Sequence, residues 1–276
     1  MKMVKKILLG LVVTGTILTI AGCKMQDDPE NAITGSGSNY KVDYENTKSE
    51  EYRAYESTSL KHAGALVKIT FDNPEDCANS KMGVIFDLKE NAENNKAKDF
   101  YIIGIGSSQS SSLNFYVSKY TGIVDIQAKN FGASTTAAAG EPKEVEYFAL
   151  SNSNISNLPS SLYVYCKANV QGEYEFALLK GEPTDGTVMK INDLDLTNLP
   201  EGVSLISLPN SAKNGCSVSG GNIGKIANAI EVPASGKESD IKQNKIAVYA
   251  RIDANTKLKG SWKFCGTYQE AEEIEE

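Results

Sequence analysis

Residues 64–72, GALVKITFD, decide the fold class of this chain. The apolar side chains of Ala65, Val67, Ile69 and Phe71 recur at every second position, which is the period of a β-strand with one buried face. The stretch runs into DNPED (72–76), whose Asp, Asn and Pro residues favour a turn. The pattern therefore predicts a strand that lies on a core and ends at a turn.

Comparable stretches follow along the rest of the chain, separated by segments rich in Gly, Ser, Asn and Pro. They are MGVIFDLK (82–89), DFYIIGIG (99–106), SLNFYVSK (112–119), GIVDIQAK (122–129), KEVEYFAL (143–150), SLYVYCKANV (161–170), GEYEFALLKG (172–181), GVSLISL (202–208), KIAVYARID (245–253) and GSWKFCGTY (260–268). We find no sustained 3.6-residue apolar period after the N-terminal segment. About eleven short strands joined by turns predict an all-β fold, a two-sheet antiparallel sandwich.

Two long stretches carry a resemblance to a known fold. Residues 83–122, GVIFDLKENAENNKAKDFYIIGIGSSQSSSLNFYVSKYTG, look like the central hairpins of concanavalin A-like and laminin G-like jelly rolls. Residues 244–264, NKIAVYARIDANTKLKGSWKF, are similar to the late strands of those domains, where a Trp-bearing strand follows an apolar one. The resemblance covers roughly residues 60–268 and implies a jelly-roll sandwich. It bears on the fold more than on the function.

The N-terminal residues have the organisation of an export signal. MKMVKK (1–6) is positively charged, and ILLGLVVTGTILTI (7–20) is apolar and uncharged. The apolar run is shorter than the roughly 20 residues that a membrane-spanning helix needs, and it fits the central region of a signal peptide.

Ile20-Ala21-Gly22-Cys23 resembles the lipobox of bacterial lipoproteins, an aliphatic residue and small residues followed by Cys. The resemblance implies diacylglycerol on the Cys23 thiol, cleavage between Gly22 and Cys23, and a further acyl chain such as palmitate on the new amino terminus. Several acyl chains on one residue anchor a protein stably in a lipid bilayer. Lys24, where an Asp would favour the inner membrane in enteric bacteria, is compatible with the outer membrane or cell surface. The alternative is an ordinary secretory signal with an incidental cysteine.

The chain divides into four predicted parts. Residues 1–22 form the signal peptide, residues 23–45 the lipidated cysteine and a flexible polar tether, residues 46–268 the sandwich, and residues 269–276 an acidic tail. The tether prediction depends on KMQDDPENAITGSGSN (24–39), whose alternative interpretation is a first strand with a long lead-in.

The charge of the chain argues against nucleic acid as a partner. The net charge is −7 over 276 residues, and residues 1–22 hold three lysines and no acid, so the remainder is more acidic still. A nucleic-acid-binding protein needs a basic face. With only two arginines, Arg53 and Arg251, a phosphate-binding arginine cluster is not expected either.

Catalytic signatures are absent from the sequence. His62 is the single histidine, and neither a GxSxG nor an HExxH motif occurs. Glu173 and Glu175 are two positions apart on one strand, about 6.8 Å between Cα atoms, a separation within the range of glycosidase carboxyl pairs. Glu144 and Glu146 share this spacing. A solvated outer face is the favoured interpretation of both pairs, so we predict no enzyme and keep a glycoside-active one as an alternative.

Four side chains are candidates for binding a ligand. Tyr163 and Tyr165 share one predicted strand face, and Tyr249 and Arg251 share another. An aromatic ring beside polar groups can stack on the C–H face of a sugar, although tyrosine is frequent in strands whatever they bind.

Oxygen ligands and glycines occur on predicted turns. Asp72, Glu75 and Asp76 could hold a structural Ca²⁺, which prefers oxygen-rich loops, and no other cofactor is predicted. SVSGGNIGKI (217–226) lacks the spacing of a phosphate loop and is interpreted as a flexible glycine loop.

Four cysteines remain if Cys23 is lipidated: Cys77, Cys166, Cys216 and Cys265. An exported chain permits disulfides, and four cysteines allow three pairings. Two disulfides, one or none all stay open. Cys166 lies on an apolar strand face, which favours a buried thiol.

The sequence therefore predicts an exported, lipid-anchored β-sandwich that acts as a binding module for a glycan or for a host or envelope protein. The alternatives are a structural or antigenic envelope lipoprotein without a small ligand and, less favoured, a glycoside-active enzyme.

Overall fold

A computed structural model gives the fold of this chain. The residues it describes are 33–46, 51–56, 63–73, 80–90, 97–106, 113–124, 143–152, 159, 161–208, 211–213, 215–218 and 221–268. The predicted signal peptide, Gly22 and Cys23, and the acidic tail lie outside the described residues.

The described residues form sixteen strands. They are β1 (Ile33–Ser36), β2 (Asn39–Asn46), β3 (Glu51–Glu56), β4 (Gly64–Phe71), β5 (Ser80–Glu90), β6 (Ala97–Gly106), β7 (Leu113–Val124), β8 (Lys143–Asn152), β9 (Ser161–Ala168), β10 (Tyr174–Lys180), β11 (Ser204–Leu205), β12 (Ser211–Lys213), β13 (Cys216–Val218), β14 (Gly224–Ile226), β15 (Lys245–Ile252) and β16 (Thr256–Tyr268). Two 3₁₀ helices, Ile191–Asp193 and Glu238–Asp240, lie between strands. Over these ranges we find no helix with the length and apolar character needed to cross a membrane.

The strands form two antiparallel sheets. The first has the order β1-β2-β16-β4-β9-β10-β14-β13-β12, with β11 also paired to β10, and the second has the order β3-β15-β5-β6-β7-β8. The predicted all-β class and the two-sheet antiparallel sandwich are thereby confirmed.

One face of each sheet packs into a shared core. On β4 the apolar residues of the opening stretch, Ala65, Val67, Ile69 and Phe71, are all buried, as their alternation predicts. Trp262 of the first sheet is fully buried, and its indole N–H donates to the carbonyl oxygen of Gly83 in the second sheet at 2.9 Å. This hydrogen bond shows that Trp262 points from one sheet towards the other.

The last two strands take inner positions in the sheets. β15 lies between β3 and β5, and β16 lies between β2 and β4. Because each inserts between strands from the first third of the chain, both sheets depend on contacts between residues far apart in sequence.

Residues 33–45 lie in the predicted tether but form a hairpin of β1 and β2 instead. β2 also pairs with β16, and Ile33, Tyr40 and Val42 are buried. Gly37 at the tip has φ +60°, a backbone conformation that glycine adopts without a steric penalty. The Gly and Ser residues that indicated a flexible segment are therefore the turn of a hairpin.

The second sheet carries another apolar cluster on the face turned away from the core. Along β15, Ile246, Val248 and Ala250 belong to the main core, whereas Ala247 and Tyr249 belong to this second cluster. Its other members are Ile85, Leu88, Phe100, Ile102, Tyr116 and Tyr120.

The three described cysteines of the sandwich, Cys166, Cys216 and Cys265, are buried free thiols. The alternative of two disulfides, which needs all four cysteines, is therefore wrong, and Cys77 lies outside the described residues. Cys166 is wholly buried in the main core, which confirms its prediction as a small apolar residue.

Candidate functional site

A small cavity lies on the outer face of the first sheet, where β4, β9 and β16 meet the segment after β10. We call it the Tyr163 cavity, and its volume is about 130 Å³. It is lined by Lys68, Tyr163, Glu182, Pro183, Gly186, Thr187, Val188, Met189, Lys263 and Cys265.

The floor of the cavity is a row of side chains on three neighbouring strands. Because Trp262 points into the core, Lys263, the next residue on β16, points outward. In the sheet register Lys263 is opposite Lys68, and Lys68 is opposite Tyr163. Directly opposite residues lie on the same face of a sheet, so all three side chains are brought together.

The wall of the cavity is the turn that follows β10. The backbone N–H of Gly186 donates to the Pro183 carbonyl at 3.1 Å, and that of Thr187 donates to Asp185 Oδ1 at 2.9 Å. At the far end of the turn Met189 is buried, which fixes the segment on the sheet. The wall is therefore held by backbone hydrogen bonds at its tip and by apolar packing at its end.

Glu182 joins the floor to the wall. Tyr163 Oη donates to Glu182 Oε2 at 2.5 Å, and Lys68 Nζ is 2.6 Å from Glu182 Oε1. Both carboxylate oxygens thus have partners, and charge-assisted hydrogen bonds of this kind are among the stronger ones.

These contacts determine the ionisation of Glu182 and Tyr163. Partial burial by itself would raise the pKa of the Glu182 carboxyl, but the hydrogen bonds from Lys68 and Tyr163 and the positive charges of Lys68 and Lys263 outweigh it and hold the pKa below its ordinary value. Burial, together with the Glu182 carboxylate, raises the pKa of the Tyr163 hydroxyl. At neutral pH the cavity therefore presents a carboxylate and a neutral phenol.

Lys263 and Cys265 complete the lining. Lys263 is exposed, and no carboxylate in the described part of the chain forms an ion pair with it. The Cys265 thiol is buried, which raises its pKa, and it lies 3.6 Å from the Lys263 carbonyl oxygen. The charged groups of the lining are two lysines and one glutamate, so the cavity has a net positive charge.

The four predicted ligand-binding side chains do not form one site. Tyr163 and Tyr165 lie on the outer face of the first sheet, whereas Tyr249 and Arg251 lie on the outer face of the second, at the other side of the sandwich. The exposed fractions of Tyr163, Tyr165 and Tyr249 are 4%, 5% and 1%, so none of the three rings offers an open stacking surface. Of the four residues only Tyr163 lines the cavity, and the role of the others stays a prediction.

Glu173 and Glu175 are linked by a lysine. Lys225 Nζ lies 3.1 Å from Glu173 Oε2 and 3.2 Å from Glu175 Oε1. Hydrogen bonds from Asn169 and Lys225 lower the pKa of Glu173. A glycosidase acid needs a raised pKa, so the geometry favours the ion-paired outer face over an acid–base pair. For Glu144 and Glu146 only the backbone of β8 is described.

The predicted calcium ligands are only partly described. Asp72 is exposed directly after β4, and Glu75 and Asp76 lie outside the described residues. Among the residues that are described, no three His, Cys, Asp or Glu side chains cluster closely enough to hold a metal ion. The calcium prediction stays a prediction.

Sequence reasoning missed Lys68, Glu182 and Lys263. Lys68 and Lys263 are polar residues in strands whose apolar and polar residues alternate. Their outward direction could therefore be predicted, but the residues they contact on other strands could not. Glu182 follows a strand end on a turn, and nothing local in the sequence indicates that it reaches Tyr163, 19 residues earlier.

Comparisons with known proteins give little to place beside this geometry. No protein family matches the chain, and no curated protein matches it either. Among solved structures, the CBM2 module of the evolved Dit protein of Lactobacillus casei phage J-1 matches at 7% identity, over 84% of this chain and 73% of that chain, with a TM-score of 0.32. A superposition of that quality assigns neither a fold nor a ligand.

Proposed function

We propose that this protein is an exported, lipid-anchored binding protein whose sandwich holds a carbohydrate in the Tyr163 cavity. The observation that carries the proposal is Glu182, a carboxylate fixed by Lys68 and Tyr163 beside a cavity on the sheet face. Carboxylate oxygens accept hydrogen bonds and ammonium groups donate them, so this group of side chains suits the hydroxyls of a sugar, which do both.

An apolar element at the rim supports the same class of ligand. Val188 lines the cavity and is 57% exposed, one of two large apolar side chains among the described residues that are this open to solvent. Ligand sites combine apolar surface with a few placed polar groups. A pyranose presents hydroxyls at its edge and C–H groups on its face, so it matches this combination.

The binding experiment uses the full chain, purified in a polyoxyethylene detergent because a sugar-headed detergent would compete. A glycan array and a panel of matrix proteins are probed with the parent protein and with Glu182→Gln. We expect glycan binding that is lost in Glu182→Gln and kept in Glu175→Gln, a matched substitution on the outer face away from the cavity. Glycan binding that both variants retain would move the site elsewhere, and binding to proteins alone would replace the carbohydrate as the ligand class.

The anchor is the second part of the proposal. Its support is the order of charge, apolar run, small residues and Cys23 in the sequence, since these residues lie outside the described ones. The acylated Cys23 would hold the protein in a bilayer, at the outer membrane or cell surface. Metabolic labelling with fatty acid should mark the parent protein and leave Cys23→Ser unmarked; a labelled Cys23→Ser protein would refute the anchor.

A further inference from the structure

We propose that the sugar bound in the Tyr163 cavity carries an anionic group, a carboxylate or a sulfate, and that Lys263 is its partner. The inference rests on the proposed carbohydrate function and specifies the ligand class. It comes from the arrangement of charge on the cavity floor.

Lys263 and Lys68 are directly opposite each other on neighbouring antiparallel strands. Like charges at directly opposite positions destabilise a sheet. Glu182 forms an ion pair with Lys68 at 2.6 Å and interacts with Lys263 only through longer-range electrostatics, and among the described residues no carboxylate lies within ion-pair distance of Lys263. One carboxylate thus faces two lysines, which leaves one net positive charge at the cavity, on a chain whose net charge is −7.

Lys259 offers a direct comparison on the same strand. It lies four residues before Lys263 on the same outward face of β16, and its Nζ is 2.9 Å from Asp43 Oδ2 of the neighbouring β2. The residue that faces Lys263 from β2 is Asn39, which is neutral. Strand β2 therefore supplies a counter-ion for Lys259, which lies outside the cavity, but none for Lys263, which lines it.

The cavity also has a direction. The Tyr163 hydroxyl donates to Glu182, and Lys263 lies two strands away from Tyr163 in the sheet, so a bound anion would be repelled near Glu182 and attracted near Lys263. Its volume of about 130 Å³ suits part of one sugar ring with a single substituent. We infer that ring hydroxyls bind at Glu182 and that the anionic substituent points to Lys263.

The test compares methyl β-glucuronide with methyl β-glucoside, which differ only in the carboxylate at C6, by calorimetry on the full chain in polyoxyethylene detergent. Glucose 6-sulfate is the third probe and distinguishes sulfate from carboxylate. We expect an anionic sugar to bind roughly tenfold tighter than the glucoside or better, as a charge-assisted hydrogen bond allows. This difference should shrink as the salt concentration rises.

Three variants locate the effect. Lys263→Gln should remove the preference for the anionic sugar, Lys263→Arg should keep it, and Lys259→Gln should leave it unchanged; thermal unfolding of each variant reports whether it is folded. Equal binding of charged and neutral sugars, or a preference that persists in Lys263→Gln, would overturn the anionic ligand and leave the carbohydrate function standing. Binding of no sugar, charged or neutral, would overturn both.

Discussion

Asp87 is a buried carboxyl group on β5. Its exposed fraction is 2%, and its φ of +58° places it in the left-handed region, which is uncommon for a residue other than glycine. Asn244 Nδ2 donates to Asp87 Oδ1 at 2.5 Å, and Lys89 Nζ is 2.9 Å from Oδ2. Burial raises the pKa of Asp87 although the contacts with Lys89 and Asn244 favour its charged form.

This raised pKa predicts how stability changes with pH. The folded state holds the Asp87 proton more tightly than the unfolded state, so the stabilisation by that proton is present below the unfolded pKa and is lost as the pH rises through the folded pKa. Asp87→Asn has no proton to lose. We expect the free energy of unfolding of Asp87→Asn, relative to that of the parent, to increase as the pH rises from acid to neutral. Urea unfolding at several pH values measures this difference.

The exposed Asp72→Asn variant is the control and should follow the parent. Parallel pH profiles for the parent and Asp87→Asn would show that Asp87 does not titrate between the two states.

The bond between Tyr163 and Glu182 predicts an energetic coupling. A double-mutant cycle of Tyr163→Phe and Glu182→Gln should give a coupling of about 1–2 kcal/mol in the free energy of unfolding, the range for a hydrogen bond to a partly buried charged group. The single variants should each be destabilised, and chemical unfolding gives all four values. Additive effects would mean that the two side chains do not interact in solution.

At the scale of elements, the β1–β2 hairpin distinguishes two glycines. A Cβ on Gly35 would lie 2.3 Å from the Asn39 carbonyl oxygen and 2.7 Å from the Tyr40 Cα, whereas a Cβ on Gly37 would meet no atom within 4 Å. Both have positive φ. Gly37→Ala should therefore cost about 1 kcal/mol for its backbone conformation alone, and Gly35→Ala should cost clearly more, because the hairpin must open.

Urea unfolding of the two variants measures the difference. A Gly35→Ala variant as stable as Gly37→Ala would mean that β1 does not pair with β2 in this register.

Whether a strand can be predicted from the sequence depends on the number of residues over which apolar and polar side chains alternate. The opening stretch and β15 have alternation over eight residues, and both were predicted as strands. The hairpin strand β1 has four residues, and β13 and β14 have three each. Such short segments show too little alternation to indicate a strand, and the glycines around them favour a loop. The segment 217–226, expected to be a flexible loop, contains β14, where Gly224 leaves room for the Phe176 ring.

The candidate site could be predicted only in part for a related reason. Alternation places Lys68, Tyr163 and Lys263 on outward faces one strand at a time. Which strands are neighbours is set by the insertion of β16 between β2 and β4, a pairing of residues nearly 200 positions apart. No local pattern carries that information, so the row that forms the cavity floor emerges only with the sheet order.

For the whole molecule, the inner positions of β15 and β16 predict a strict dependence on the C-terminal strands. Deleting residues 245–276 removes the partners of β2, β3, β4 and β5 and exposes the core face that Trp262 covers. We expect loss of the cooperative thermal transition. Deleting only residues 269–276, the predicted acidic tail, should leave the transition close to that of the parent; a cooperative transition in the longer deletion would contradict the sheet order as the basis of stability.

The same strand order has a consequence for biogenesis. If the chain is exported as proposed, β2 to β5 cross the membrane early, whereas the strands that separate them cross last. Until that translocation is almost complete, the early strands would have exposed edges that could pair only wrongly or with a chaperone. If acylation fixes the N-terminus first, this incomplete intermediate would wait at the bilayer surface, and a nascent product that stalls before β15 and β16 have crossed would be a substrate for envelope proteases.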